Sequence, residues 1–258
     1  MLLFLSGLPL WAAGLLLVIL PTLIATSGPV LARRWFGHAH LSSNNEIAGF
    51  KFATVGVIYA VLLAFAVIVV WEKFADAETA VVHEAGAAAT IFRLVTGEEP
   101  ERQATREALT NYLKLAINQD WPEMAEAKES RETTRALDAL YAAALRLTED
   151  GAKEPVISEE IFKELDTITE ARRVRLHIAT GIVPGIIWMV LFAGAVLTVS
   201  FTFFFATKNL PAQVMMTGIL SLLVFMGLLV IVQIDHPFTG PSNVGSEPLQ
   251  AVLEDFGR

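Results

Sequence analysis

Cysteine is absent from the 258 residues. That removes disulfide frameworks, iron–sulfur ligation and thiol catalysis, and it leaves the redox compartment undecided. Charge is scarce too: 18% of the residues are Asp, Glu, Lys or Arg while 54% are apolar, which excludes a purely soluble globule of this length. A mean hydropathy of +0.53 agrees. Bases are the rarer sign, 19 against 27 acids for a net charge of −8, so a phosphate-tracking surface for nucleic acid is excluded.

What the chain has instead is long runs without charge. Met1–Ala32, Phe52–Trp71, Leu176–Thr207 and Asn209–Ile234 hold no Asp, Glu, Lys or Arg over 32, 20, 32 and 26 residues. About 20 apolar residues cross a hydrocarbon core of about 30 Å, so each run supplies one span and the lipid bilayer is the first partner. The first run lacks a basic start and outlasts a secretory h-region, so it reads as a retained helix, kinked near Pro21. The expected division is helix 1 over 1–32, a basic loop over 33–51, helix 2 over 52–71 and a helical polar domain over 72–180. Helix 3 over 181–207, a loop over 208–213, helix 4 over 214–234 and a tail over 235–258 follow. The fold class is all-α: an integral membrane protein with a helical domain inserted between its second and third spans.

The polar segment from Glu72 to Thr180 carries 22 acids and 14 bases, so its excess of acids equals the net charge of the chain. From Trp71 to Val95 it has no proline and one glycine, and Val81, Ala85, Ala88, Phe92 and Val95 recur every three or four positions. That seam predicts that the second span continues as one rod beyond the bilayer. Thr96-Gly97 ends the rod, and Pro100 opens a helix to about Gln119. Asp120-Trp121-Pro122 is expected to break it, because a proline pushes its predecessor out of the α region. A helix over Arg131–Thr148, a turn at Asp150-Gly151, and a last helix capped by Ser158 and running unbroken into the third span complete the pattern. Bases near the span ends number four on one side and five on the other, so charge does not set the orientation.

Catalytic and metal motifs are poor. His83-Glu84 begins like a helical zinc-protease motif, but position 87 is alanine, and a surface pair is the better reading. His38 and His40 have only Glu46 nearby and read as solvated residues. No metal, no cofactor and no enzymatic activity is expected. The spans also lack the ionisable group that ion-coupled transport needs. Gly56, Ala60 and Ala64 form a small-residue stripe for helix packing, which leaves Phe52, Tyr59, Leu63 and Val67 as candidates to line a narrow apolar constriction. Arg172, Arg173 and Arg175 precede the third span, and Glu84 and Arg93 are expected to pair with that cluster. Anchoring at headgroups and attraction of anions are its other roles. The turn-rich tail Asp235, Pro237, Phe238, Gly240 is expected to fold back on the polar domain.

Asn45-Glu46-Ile47-Ala48-Gly49-Phe50, running into Gly56-Val57-Ile58-Tyr59 and on to Trp71-Glu72, resembles the bacterial bestrophin-like family. Glu84 with Arg93, Tyr112, Asp120-Trp121-Pro122 with Met124, Arg172, Arg175, Pro184, Trp188, Gly194, and Asp235 with Pro237, Phe238 and Gly240 agree in order. The resemblance implies a relation to bestrophins, homopentameric anion channels whose second membrane helix lines a hydrophobic neck and whose helical domain is cytosolic. It therefore implies a pentameric homo-oligomer in the bacterial inner membrane, conducting chloride in preference to cations. A cation-permeable pore and a non-conducting scaffold or sensor are the alternatives. The acidic run of the bestrophin calcium clasp is missing here.

Overall fold

In the computed structural model, which describes residues 2–37, 41–42, 45–149 and 155–257, proline decides where helices begin. Pro9, Pro21, Pro100, Pro122, Pro155, Pro184, Pro211 and Pro248 each stand at or beside the first residue of a helix. At a first turn such as those of Pro100, Pro211 and Pro248 the missing N–H is unpaired in any case, whereas Pro21 and Pro122 follow π turns inside continuous helical runs. Every regular element among the described residues is helical. His38 and His40, and the turn expected at Asp150-Gly151, lie outside the described residues.

Two compact units divide the chain: Met1–Glu72 with Val183–Asp235, and Lys73–Ile182 with His236–Arg258. Four described helices are long and apolar enough to cross a membrane: Leu10–Phe36, Asn45–Leu94, Gly185–Phe204 and Leu210–Ile234. We refer to them as the first to fourth spans. The first is not uniform: a wide π turn over Leu15–Ile19 precedes Pro21, so the irregularity falls one turn ahead of the proline. Within this unit the first and third spans pack on the fourth. Asn45, which opens the second span, exchanges two hydrogen bonds with Ala206: its Nδ2 donates to the carbonyl at 2.7 Å, and Ala206 N–H donates to its Oδ1 at 3.1 Å.

The second span is one helix of 50 residues, Asn45–Leu94, about 75 Å at 1.5 Å per residue. It is shared by both units. In the polar unit its residues Ala85, Ala88, Ile91 and Val95 are buried with Leu109 and Leu113 of Pro100–Leu115, Leu140 of Arg131–Glu149, and Leu165 and Ile168 of Pro155–Ala179.

Three expectations are corrected. The chain does not break at Asp120-Trp121-Pro122: Asp120 and Trp121 both stay in the α region, and a π turn over Ala116–Asp120 runs straight into the helix Trp121–Ala125. The wider turn relieves the clash a proline ring makes with the carbonyl one turn back. Ser158 does not cap the last polar helix, which already starts at Pro155. That helix also stops at Ala179 rather than running into the third span. Gly181 adopts φ +103° and Pro184 caps the following helix, a conformation that only glycine takes without strain.

Candidate functional site

Two sets of residues matter, one in each unit. On the second span, burial in the single chain falls on Phe52, Tyr59, Leu63, Ala66 and Val70, at gaps of 7, 4, 3 and 4 that keep them on one helix face. Phe52, Tyr59 and Leu63 have partners on the chain's own third span or beyond. Phe52 meets Phe201 and Phe205 with ring centres 5.9 and 5.7 Å apart. Tyr59 donates its hydroxyl to the Leu191 carbonyl at 3.2 Å. Its ring lies where a Cβ on Gly194 would sit, 2.6 Å away, and Leu63 fills the same kind of space at Gly227, 2.7 Å away.

Phe52, Tyr59 and Leu63 are intramolecular packing residues, and Val67 is half-buried beside them. Large side chains on one helix need small ones opposite, and Gly194 and Gly227 supply them. Within the single chain the small-residue stripe is uncovered: Ala60 and Ala64 are exposed, and nothing lies within 4 Å of a Cβ built on Gly56.

In the polar unit four charged side chains are buried together. Arg175 holds Glu84 through two bonds, Nε to Oε2 at 2.6 Å and Nη2 to Oε1 at 2.9 Å. Arg172 holds Asp120 in the same two-point way, at 2.7 and 3.1 Å, and reaches the Ser130 carbonyl and the Thr134 hydroxyl with Nη2. Arg175 and Asp120 approach to 3.8 Å, which joins the pairs. Tyr112 donates its hydroxyl to Glu84 Oε1 at 2.6 Å, the Trp121 ring lies 4.5 Å under the Arg175 guanidinium, and Met124 Sδ takes its Nη1 at 3.3 Å.

Two positive and two negative groups cancel, so the cluster holds no spare charge for an anion. Its chemistry is that of a fastener: bidentate arginine–carboxylate pairs are directional, and both oxygens of each carboxylate are bonded. Burial opposes charge on both guanidiniums, yet the bonds and charge of Asp120 keep Arg172 above its ordinary pKa, and those of Glu84 do the same for Arg175. Burial, reinforced by the Glu84 charge, pushes the Tyr112 phenol well above its usual range.

Of the expected cluster, then, Glu84, Arg172 and Arg175 come together. Arg173 is exposed and pairs with Glu170 at 3.0 Å, and Arg93 is exposed. Asp120 was missed as a partner because it was read only as a helix breaker. The tail divides between the units. Asp235, buried at the end of the fourth span, accepts the Val183 N–H at 2.8 Å, where a carboxylate complements the start of the third span. In the polar unit Phe238 stands edge-on to Trp121 at 6.0 Å, the Pro237 carbonyl accepts the Val244 N–H, Gly240 takes φ +80°, and Thr239 donates to the Ala125 carbonyl. Among the described residues no group of three or more metal-ligating side chains occurs.

The same architecture occurs in solved structures. A crystal structure of a bacterial bestrophin homolog from Klebsiella pneumoniae, phased with zinc, superposes with a TM-score of 0.71 at 17% identity, covering 93% of this chain and 96% of that one. A substituted form of that homolog gives a TM-score of 0.73 at 16% identity, covering 93% of this chain and 99% of the other. A second such form gives 0.72 at 15%, covering 92% and 95%. At these identities the likeness is one of fold. No curated protein matches the chain in sequence. The bestrophin-like domain, however, matches residues 19–249, nearly the whole chain and both units. This membrane protein belongs to the bestrophin-like family.

Proposed function

We propose that the chain is a homo-oligomeric ion channel, pentameric by likeness to bestrophins, in which copies of the second span enclose a hydrophobic neck. One observation carries the reading. Val57, Val61 and Ile68 are 64%, 48% and 50% exposed and lie across the helix from the Tyr59 face, at spacings of 4 and 7 that form a seam. The chain leaves this uncharged stripe uncovered. Beside it run Gly56, Ala60 and Ala64, small enough to let a neighbouring copy approach closely. A ring of such valines and isoleucines gates by wetting and dewetting.

The family resemblance supplies chloride as the permeant ion, the bacterial inner membrane as the location, and the cytoplasm as the side of the polar unit. A cation-permeable pore is favoured by a different observation. Arg172 and Arg175 are cancelled by Glu84 and Asp120, so the polar segment offers solvent an excess of acids, which repels anions. Reversal potentials across a salt gradient in reconstituted bilayers test both. A shift toward the chloride potential supports the first, a shift toward the cation potential the second, and the absence of any current sinks the channel.

A further inference from the structure

We propose that a groove along the first and third spans is a binding site for an acyl chain of an anionic phospholipid drawn from the surrounding bilayer, with Arg34 at its headgroup. The groove encloses about 470 Å³ and is walled by Ile24, Leu31, Trp35, Val196, Phe203 and Phe225 among others. Such a volume is typical of a small-molecule site. Its wall makes no polar demand: the Ser27 hydroxyl in it already donates to the Ile24 carbonyl at 2.6 Å. The floor exists because position 28 is glycine. A Cβ there would run into the Phe203 ring, which lies over it.

The occupant is a hydrocarbon chain of the bilayer because the walls are apolar and basic residues continue the line of the groove at one end.

Charge then chooses the headgroup. Ile24, Ser27, Leu31, Arg34 and Trp35 share one face of the first span at helical spacing. Arg34, exposed, therefore continues the line of the groove where the helix ends at Phe36. Arg33 beside it gives one guanidinium N–H to the Thr207 carbonyl, while its buried Nε has no partner among the described residues. Lys51 in the second turn of the second span and Lys208 in the connection before the fourth add bases in sequence against the single acid Glu46. A phosphate complements this set, and Trp35, 79% exposed, is placed as an interfacial aromatic. The inference stands whether or not the protein conducts.

Native mass spectrometry of the full chain, extracted from vesicles of phosphatidylcholine and phosphatidylglycerol, tests it. Each chain is expected to retain a phospholipid, with phosphatidylglycerol preferred about fivefold, the factor for one arginine beside an anionic headgroup. Val196→Phe, which fills the groove, is expected to abolish retention, whereas Val196→Ala, which widens it, keeps the lipid. Arg34→Gln is expected to keep a lipid and lose the preference. Unchanged retention in Val196→Phe, loss in Val196→Ala, or equal retention of both lipids by the unsubstituted chain overturns the proposal. So does a change of oligomer mass in Val196→Phe at constant lipid count, which assigns the groove to a second copy.

Discussion

Glu84 and Arg175 stand 91 positions apart and meet in a two-point contact of 2.6 and 2.9 Å, neither side chain exposed to solvent. The pair joins the extension of the second span to the last helix of the polar unit. Removing one member leaves the other charged and dry, at a cost of about 3–5 kcal/mol, whereas an apolar pair of similar volume is close to neutral. Thermal unfolding in detergent is therefore expected to fall steeply for Arg175→Met alone and to recover in Arg175→Met with Glu84→Leu. Equal stability of the single variant and the parent would remove the pair's structural role.

Asp120 makes the same kind of bond to Arg172, with a geometry that only a guanidinium can satisfy at both oxygens. Arg172→Lys is accordingly expected to destabilise nearly as much as Arg172→Met in the same unfolding measurement. Full rescue by lysine would show that charge alone, without the fork, is what Asp120 needs.

Tyr112 gives the cluster an alkaline limit. Its phenol is held protonated in the folded state well above its ordinary value, by burial first and by the Glu84 charge second. The unfolded chain loses that proton near pH 10, so above about pH 10 the unfolded state binds fewer protons and stability falls as pH rises. The contribution is complete below that pH and disappears as pH climbs through the folded value. Tyr112→Phe is expected to lose less stability than the parent between about pH 8 and about pH 11, read by denaturant midpoints. Parallel losses would assign the alkaline limit to other groups.

The tail is a second fastener within the polar unit. Leu249 is fully buried, and Phe256 stacks on Phe92 with ring centres 3.6 Å apart, while the Arg106 guanidinium covers the Phe92 ring at 4.1 Å. Phe238→Ala removes a nearly inaccessible aromatic and is expected to cost about 3–5 kcal/mol. Phe256→Ala, at a partly exposed site, costs less. Limited proteolysis checks the order: cleavage after residue 240 is to appear sooner in Phe238→Ala than in Phe256→Ala.

How far the sequence reached depended on which signal each feature leaves. The long second helix was legible because nothing interrupts Trp71 to Val95. Glu84 was picked as an ion-pair partner of the arginines before the third span, but it was also read with His83 as a surface pair, which its full burial corrects: His83 is exposed and Glu84 is not. Asp120 was not legible, since a π turn has no footprint in a 3.6-residue period, and the proline after it argues for a break. The end of the last polar helix at Ala179 was hidden by the uncharged run beginning at Leu176, although Gly181 and Pro184 mark it. The packing of Tyr59 and Leu63 within the chain was not read from the sequence, because packing had been assigned to the small-residue stripe Gly56, Ala60 and Ala64. Tyr59 and Leu63 are large where Gly194 and Gly227 make room for them, and such a pairing across helices is invisible until the helices are placed together.

The central claim is that the uncovered stripe of the second span forms the neck. Single-channel recording of the reconstituted chain tests it most directly. Val61→Ala and Ile68→Ala, which shorten exposed side chains and leave the fold's own contacts intact, are each expected to raise conductance, while Leu63→Ala lowers stability and leaves unitary conductance alone. Unchanged currents in Val61→Ala and Ile68→Ala, together with a rise in Leu63→Ala, would contradict the account.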